Sequence, residues 1–140
     1  MTHTSRLIQR FLSPLLAMTV LISSTAFAEC VRPAASGYKR IGCLSEGLAV
    51  AQKEHKFGFI NAEGKVVIPL EYDHVSDFKE GLAHAKKGSK KGYIDTQGKT
   101  VISFEYHFAN DFENGMAKVN KNEEWFYIDK TGQRVKELEK

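Results

Sequence analysis

Histidine is the side chain with the widest chemical range in this 140-residue chain, and four histidines follow residue 28. Protein ligands of a metal ion recur at short spacings, such as two histidines three to five positions apart. These four do not follow such a spacing, and none recurs at the sequence period described below. We therefore predict no metal site and no cofactor from His55, His74, His84 and His107.

Carboxylates are the next candidates, because two acids about 5–9 Å apart across a cleft can hydrolyse a glycosidic bond. Glu71 and Glu105 are 34 positions apart, and so are Asp77 and Asp111. Recurrence at one period favours a structural role such as turn capping. No serine lies in the strand-turn-helix context of a catalytic nucleophile. We predict no catalytic residue, and an enzyme that uses acids from different units remains the alternative.

The first 28 residues have the three parts of a secretory signal peptide. Arg6 and Arg10 precede a mostly apolar stretch at 11–24, and Ala26-Phe27-Ala28 presents small residues at the two positions a signal peptidase reads. The apolar stretch is shorter than the roughly 20 residues of a membrane anchor. We predict cleavage after Ala28 and a periplasmic or secreted protein without membrane insertion.

Export bears directly on the two cysteines, Cys30 and Cys43. An oxidising compartment permits a disulfide between them, which would contribute about 3 kcal/mol by closing a short loop. Two free thiols are the alternative. A redox pair is disfavoured, because the cysteines do not form a C-x-x-C motif.

The charge of the chain excludes a polybasic protein. Removal of residues 1–28 leaves 18 basic and 17 acidic side chains. A nearly neutral chain lacks the positive field that binds nucleic acid without sequence preference. Its length allows one small domain.

An internal repeat is the strongest signal in the sequence. Glu46-Gly47-Leu48-Ala49 recurs 34 residues later as Glu80-Gly81-Leu82-Ala83, and after another 34 as Asn114-Gly115-Met116-Ala117. Of the 34 positions aligned between 46–79 and 80–113, 17 are identical. Counted from Tyr38, three units span 38–71, 72–105 and 106–139.

Each unit is predicted to be a three-stranded meander. In the second unit, Gly81 suits the positive φ of a turn, and strands follow at 82–86, 92–95 and 100–104. Asp95-Thr96-Gln97-Gly98 is a hairpin signal. Tyr72, Val75 and Phe78 are three apart, which predicts a short helical turn.

We predict an all-β stacked or twisted array of three such units. A closed, pseudo-threefold barrel or prism is the alternative. In the first unit we expect Pro69 to end the third strand.

The ordered motifs resemble the WG repeat. They are Gly47-Leu48-Ala49, Gly58-Phe59-Ile60-Asn61, Gly64-Lys65 with Val67-Ile68-Pro69, and Tyr72-Asp73 with Phe78. The resemblance implies a β-rich repeat protein, commonly bacterial and often exported, with an interaction or structural role and no family catalytic residues. We therefore divide the chain into a signal peptide (1–28), an N-terminal cap with the predicted disulfide and a partial repeat (29–45), and a WG-like β-repeat domain (46–140).

Aromatic and lysine side chains recur along the second strand of each unit, and we predict a binding surface there. Aromatic side chains beside polar neighbours suit contacts with proteins or glycans. We expect an exported, non-enzymatic interaction module that binds a protein or a cell-envelope component. Binding or cleavage of an envelope glycan, or a structural envelope role without a ligand, are the alternatives. The candidate surface consists of Phe57, Phe59, Lys91, Tyr93, Trp125 and Tyr127.

Overall fold

The computed structural model describes residues 29–136, which form eleven β-strands and contain no helix. The predicted signal peptide lies outside the described residues. The strands fall into three antiparallel sheets, one for each repeat unit. The strands of the first unit are β1 (Arg40–Ile41), β2 (Leu48–Lys53), β3 (Lys56–Asn61) and β4 (Val66–Tyr72). Those of the second are β5 (His74–Val75), β6 (Leu82–Lys87), β7 (Lys90–Asp95) and β8 (Thr100–Tyr106), and those of the third are β9 (Phe108–Ala109), β10 (Met116–Lys121) and β11 (Glu124–Asp129).

The three sheets repeat the same order of strands. The first two are β1-β2-β3-β4 and β5-β6-β7-β8, and the third is β9-β10-β11. Equivalent strands begin 34 residues apart, as the sequence period requires. The predicted boundary between residues 45 and 46 falls inside the first sheet, since β1 pairs with β2.

Most of the core lies in seams between successive units. One buried cluster joins the first unit to the second, and another joins the second to the third. The sheets stay separate and open within residues 29–136. The all-β array of meanders is therefore confirmed, and the closed threefold arrangement is not observed.

Turns of two kinds define each unit. At Ser45–Leu48 and its two equivalents, both central residues have positive φ, for example Glu80 at 51° and Gly81 at 83°. This is the turn type whose twist suits a β-hairpin. The predicted turn at Asp95 is also present, because the Asp95 carboxylate accepts hydrogen bonds from the amides of Gln97 and Lys99, both 2.9 Å long.

The predicted helical turn at Tyr72, Val75 and Phe78 is wrong. Tyr72 ends β4, Val75 lies in β5, and Phe78 follows in a segment without regular structure. All three side chains enter the same buried cluster while the chain passes from one sheet to the next. Their spacing of three therefore arises from a corner between sheets.

Pro69 does not end the third strand, contrary to expectation. β4 continues to Tyr72 through a bulge, in which Phe57 pairs with Tyr72 and Phe59 with Ile68. The bulge brings backbone against Gly58, where a Cβ would lie 2.4 Å from the Ile68 carbonyl oxygen. Gly92 meets the bulge of β8 in the same way. The glycine of the repeat is thus required by the bulged strand beside it.

Candidate functional site

Each sheet has one face directed toward the following unit, which we call its forward face. In the first unit it carries Leu48, Phe59, Ile68 and Tyr72, which share a buried cluster with Val75 and Phe78 of the second unit. The rings of Phe59 and Phe78 lie 4.7 Å apart at an angle of 52°. A polypeptide turn therefore covers this face.

The forward face of the second unit is covered in the same way by the third. The rings of Tyr93 and Phe112 lie 4.9 Å apart, nearly edge to face, and the Tyr93 hydroxyl donates a 2.7 Å hydrogen bond to the Asn110 carbonyl. Tyr93 is fully buried, and this burial raises the pKa of its phenol. Its hydrogen bond satisfies a polar group that would otherwise be costly to bury.

Polar contacts at the turns fix each unit on the next. The carboxylate of Glu46 accepts a 2.9 Å hydrogen bond from the amide of Gly81, and that of Glu80 accepts one of the same length from Gly115. Ser45 adds a 2.7 Å hydrogen bond from its hydroxyl to the Phe78 carbonyl. The turn of a following unit is thus recognised through both its apolar side chain and its backbone.

Within residues 29–136, nothing covers the forward face of the third unit. Met116 and Tyr127 are 40% and 42% exposed, whereas Leu82 and Tyr93, their equivalents in the second unit, are 7% and 0% exposed. The rings of Phe108 and Trp125 stack beside them at 5.8 Å, and both are about half exposed. The Lys118 ammonium lies 5.4 Å from the Trp125 ring centroid, within the range of a cation–π contact. We call this surface the open face: Phe108, Met116, Lys118, Trp125 and Tyr127.

A depression of about 240 Å³ adjoins the open face. Lys118 and Tyr127 line it together with polar groups of the third unit's own turn. The open face thus combines aromatic rings, one cation and a concave margin, which are common features of protein-binding sites. The remaining lining residues are Asn110, Asp111, Glu113, Asn114 and Met116.

The predicted surface contains side chains of two kinds. Phe59 and Tyr93 are fully buried within the seams, so their assignment to a surface is wrong. Phe57 is half-buried against the first seam. Lys91 is half-buried, and burial followed by the charge of Lys86 lowers its pKa.

Trp125 and Tyr127 are exposed side by side on β11, so one pair of the predicted set shares a surface. Among the described residues this surface occurs once, because the equivalent face of each earlier unit is covered by the next unit. Phe108, Met116 and Lys118 also belong to the open face, and no sequence motif indicated them. Their alignment with His74, Leu82 and His84 placed them on this face, but nothing in it showed that the face is uncovered.

A second concavity, of about 420 Å³, crosses the seam between the first two units. His74 and His84 line it with their rings 6.2 Å apart, and Arg40, Asp77 and Asp111 add charges of both signs.

Burial, followed by the charges of Lys91 and His74, lowers the pKa of His84 to about 4. The Asp111 carboxylate lies 3.4 Å away and favours the charged ring, but its half-exposed position weakens that effect through solvent screening.

The other chemically interesting residues have structural surroundings. Glu71 and Glu105 form surface ion pairs with Lys87 and Lys121, at 3.4 and 3.2 Å. Among residues 29–136, no group of three or more His, Cys, Asp or Glu side chains could hold a metal ion. Over the same range, no helix has the length and apolar character needed to cross a membrane.

The opposite end of the array is covered by the N-terminal segment. Cys30 and Cys43 form a disulfide, as predicted, and the Leu44 amide donates a 2.7 Å hydrogen bond to the Val31 carbonyl. Ala35 of this segment packs against a buried cluster of the first unit that includes Ile60. One end of the array is thus tied down, and the other presents the open face.

Comparison with known proteins agrees with the period of the structure. A family model described as WG containing repeat matches residues 57–90 and 92–125. Each match begins in the second long strand of one unit, β3 or β7, and runs to the same region of the next. No curated protein and no solved structure matches the chain.

Proposed function

Because the chain belongs to the WG-repeat family, we propose that it is an exported, non-catalytic module that binds a protein partner through its open face. One observation carries the proposal: Tyr127 and Met116 are exposed, while the same positions of the second unit are buried by polypeptide. This face therefore has the composition of an interface without the element that covers it elsewhere in the molecule.

The chemistry of the open face supports binding. Aromatic rings supply large contact areas at low cost in conformational entropy, and interface hot spots are enriched in Trp and Tyr. The disulfide fits an oxidising compartment, as does the signal-like segment at residues 1–28. A protein partner is favoured over a glycan, because polypeptide turns cover the two equivalent faces.

Capture from an envelope extract tests the proposal, with the exported, purified protein as bait. A double variant, Trp125→Ser with Tyr127→Ser, removes two of the aromatic rings of the open face. A matched control, Val67→Ser with Val101→Ser, removes two side chains that are 41% exposed elsewhere. We expect a protein to be captured by the wild type and the control and lost with the open-face variant. Thermal unfolding checks that both variants stay folded.

Three outcomes would contradict the proposal. Capture that is equal for both double variants would exclude the open face as the binding site. Sedimentation with purified wall material that depends on Trp125 and Tyr127, without protein capture, would replace the protein partner by a glycan. Turnover of wall fragments that disappears in Glu71→Gln or Glu105→Gln would instead indicate an enzyme.

A further inference from the structure

We infer that the open face recognises an Asp-Phe-x-x-Gly turn on another polypeptide, the kind of turn that begins each later unit of this chain. The inference rests on the proposed function and names the chemistry of the partner. Two turns of this kind already occupy forward faces within the molecule. They are Asp77-Phe78-Lys79-Glu80-Gly81 and Asp111-Phe112-Glu113-Asn114-Gly115.

The phenylalanine of the turn packs at a defined position on the forward face. Phe112 packs edge to face on Tyr93 at 4.9 Å, while the Tyr93 hydroxyl bonds to the carbonyl of Asn110, two residues earlier. Tyr127 occupies the position of Tyr93 one unit later and is exposed. The Tyr127 ring can therefore contact an incoming phenylalanine as the Tyr93 ring does. Its hydroxyl can donate a hydrogen bond to the backbone carbonyl that precedes the aspartate of the turn.

The aspartate of the turn has a charged counterpart. Asp111 lies 3.4 Å from the imidazole of His84, and Lys118 occupies the position of His84 in the third unit. A lysine is charged at neutral pH, so it complements an incoming aspartate more strongly than a neutral imidazole does. In the first unit the same position holds Val50.

The glycine of the turn also has a partner. Glu46 and Glu80 each accept the glycine amide of the following turn, and Asn114 holds their position in the third unit. Asn114 lines the depression beside the open face, and an asparagine side-chain oxygen can accept the same hydrogen bond. Phenylalanine and aspartate therefore each have a matching group on the open face, and glycine has one in the depression beside it.

A second copy of the chain has no such turn to offer. Phe78 and Phe112 are both buried in its own seams. In its first unit the equivalent turn reads Cys43-Leu44-Ser45-Glu46-Gly47, and the disulfide occupies the aspartate position. The partner is therefore a different polypeptide.

A cyclic peptide of residues 73–87 provides the probe. The Asp73 amide bonds to the Lys86 carbonyl at 2.9 Å, so head-to-tail closure holds the turn in its bound form. The peptide contains no tryptophan, and Trp125 is the single tryptophan of the protein, so its fluorescence reports occupancy of the open face. We expect a saturable change, with affinity roughly tenfold lower for the Phe78→Ala peptide.

A double-mutant cycle tests the charge pairing. The Asp77→Asn peptide should bind to the wild-type protein several-fold more weakly than the parent peptide does. The Lys118→Gln variant should bind both peptides with equal, weakened affinity. Lys130→Gln is the control cation and should leave the difference between peptides intact. Absence of saturable binding, or equal binding of a scrambled cyclic peptide, would overturn the inference, as would a cycle without coupling.

The two proposals fail in different ways. Capture that depends on Trp125 while the cyclic peptide neither binds nor competes would leave the proposed function intact and overturn the Asp-Phe-x-x-Gly inference. Peptide binding without any captured partner would contradict the proposed function alone. Concentration-dependent self-association that Lys118→Glu abolishes would assign the open face to a second copy and overturn the inference.

Discussion

The forward faces of the second and third units are built alike, yet one is core and the other is surface. Tyr93 and Tyr127 occupy the same position on equivalent strands, but only Tyr93 is covered by a following turn. Residue type and strand alternation therefore do not decide burial in this molecule. In a stacked array, burial depends on whether a neighbouring unit is present.

The third unit also differs in sequence on this face. Lys136 stands where the first two units carry Ile68 and Ile102, and it is exposed. A charged side chain at this position disfavours burial against an apolar neighbour, because an unpaired buried charge is costly. The rings of Trp125 and Tyr127 in the same unit are exposed.

The largest contrast is expected between Tyr93→Ala and Tyr127→Ala. The first variant removes a buried ring and leaves the Asn110 carbonyl without its hydrogen bond, so the free energy of unfolding should fall by about 4 kcal/mol. The second removes an exposed ring and should cost less than about 1 kcal/mol. Urea denaturation measures both, and equal losses would show that the two faces are covered alike.

The two ends of the array differ in how they are closed. Replacement of Cys30 and Cys43 by serine should lower the free energy of unfolding by about 3 kcal/mol, because the unfolded chain loses a loop constraint. Hydrogen exchange should then quicken in β1 and β2 and stay unchanged in β10 and β11. Uniform quickening across all three sheets would contradict a cap that acts on the first unit.

His84 and Lys118 occupy equivalent positions, but most of the His84 side chain is buried whereas Lys118 is exposed. Because burial lowers the pKa of His84 to about 4, the unfolded chain binds its proton first as pH falls. Stability should decline between about pH 6.5 and 4, by up to about 3 kcal/mol. His84→Val should remove most of that decline, whereas replacement of the exposed His55 by Gln should keep it. A decline that persists in His84→Val would place the acid sensitivity elsewhere.

The smallest contrast concerns the repeat glycine. Gly92→Ala should cost about 2 kcal/mol, because the new Cβ would lie 2.6 Å from the Ile102 carbonyl oxygen. Gly42→Ala is the matched control, since its Cβ would meet only ordinary contacts at 3.5 Å and beyond. The third unit carries Phe126 at the position of Gly92, and the structure describes no bulged strand beside it. Equal costs for the two alanines would contradict this reason for the glycine.

Much of the fold could be predicted, because the 34-residue period repeats most of the strands three times. The hairpin at Asp95 followed from the preference of aspartate and glycine for turns. The corner at Tyr72–Phe78 was misread as helix, because a spacing of three also arises where a chain changes sheets. The prediction that Pro69 ends the third strand was wrong, because a bulge accommodates the proline within β4.

The candidate site was harder to predict than the fold. Alternation places Phe59, Tyr93 and Tyr127 on equivalent faces, but it contains no information on which face a neighbour covers. That depends on contacts between units, such as Phe112 on Tyr93. Lys118 had no distinguishing motif, and its relation to His84 and Asp111 is visible only in three dimensions.

Hydroxyl-radical footprinting of the exported protein, with and without its captured partner, tests the open face most directly. We expect Met116, Trp125 and Tyr127 to be labelled strongly in the free protein and protected in the complex, while Tyr93 is unlabelled in both. Weak labelling of Tyr127 in the free protein, or labelling that the partner leaves unchanged, would contradict the account.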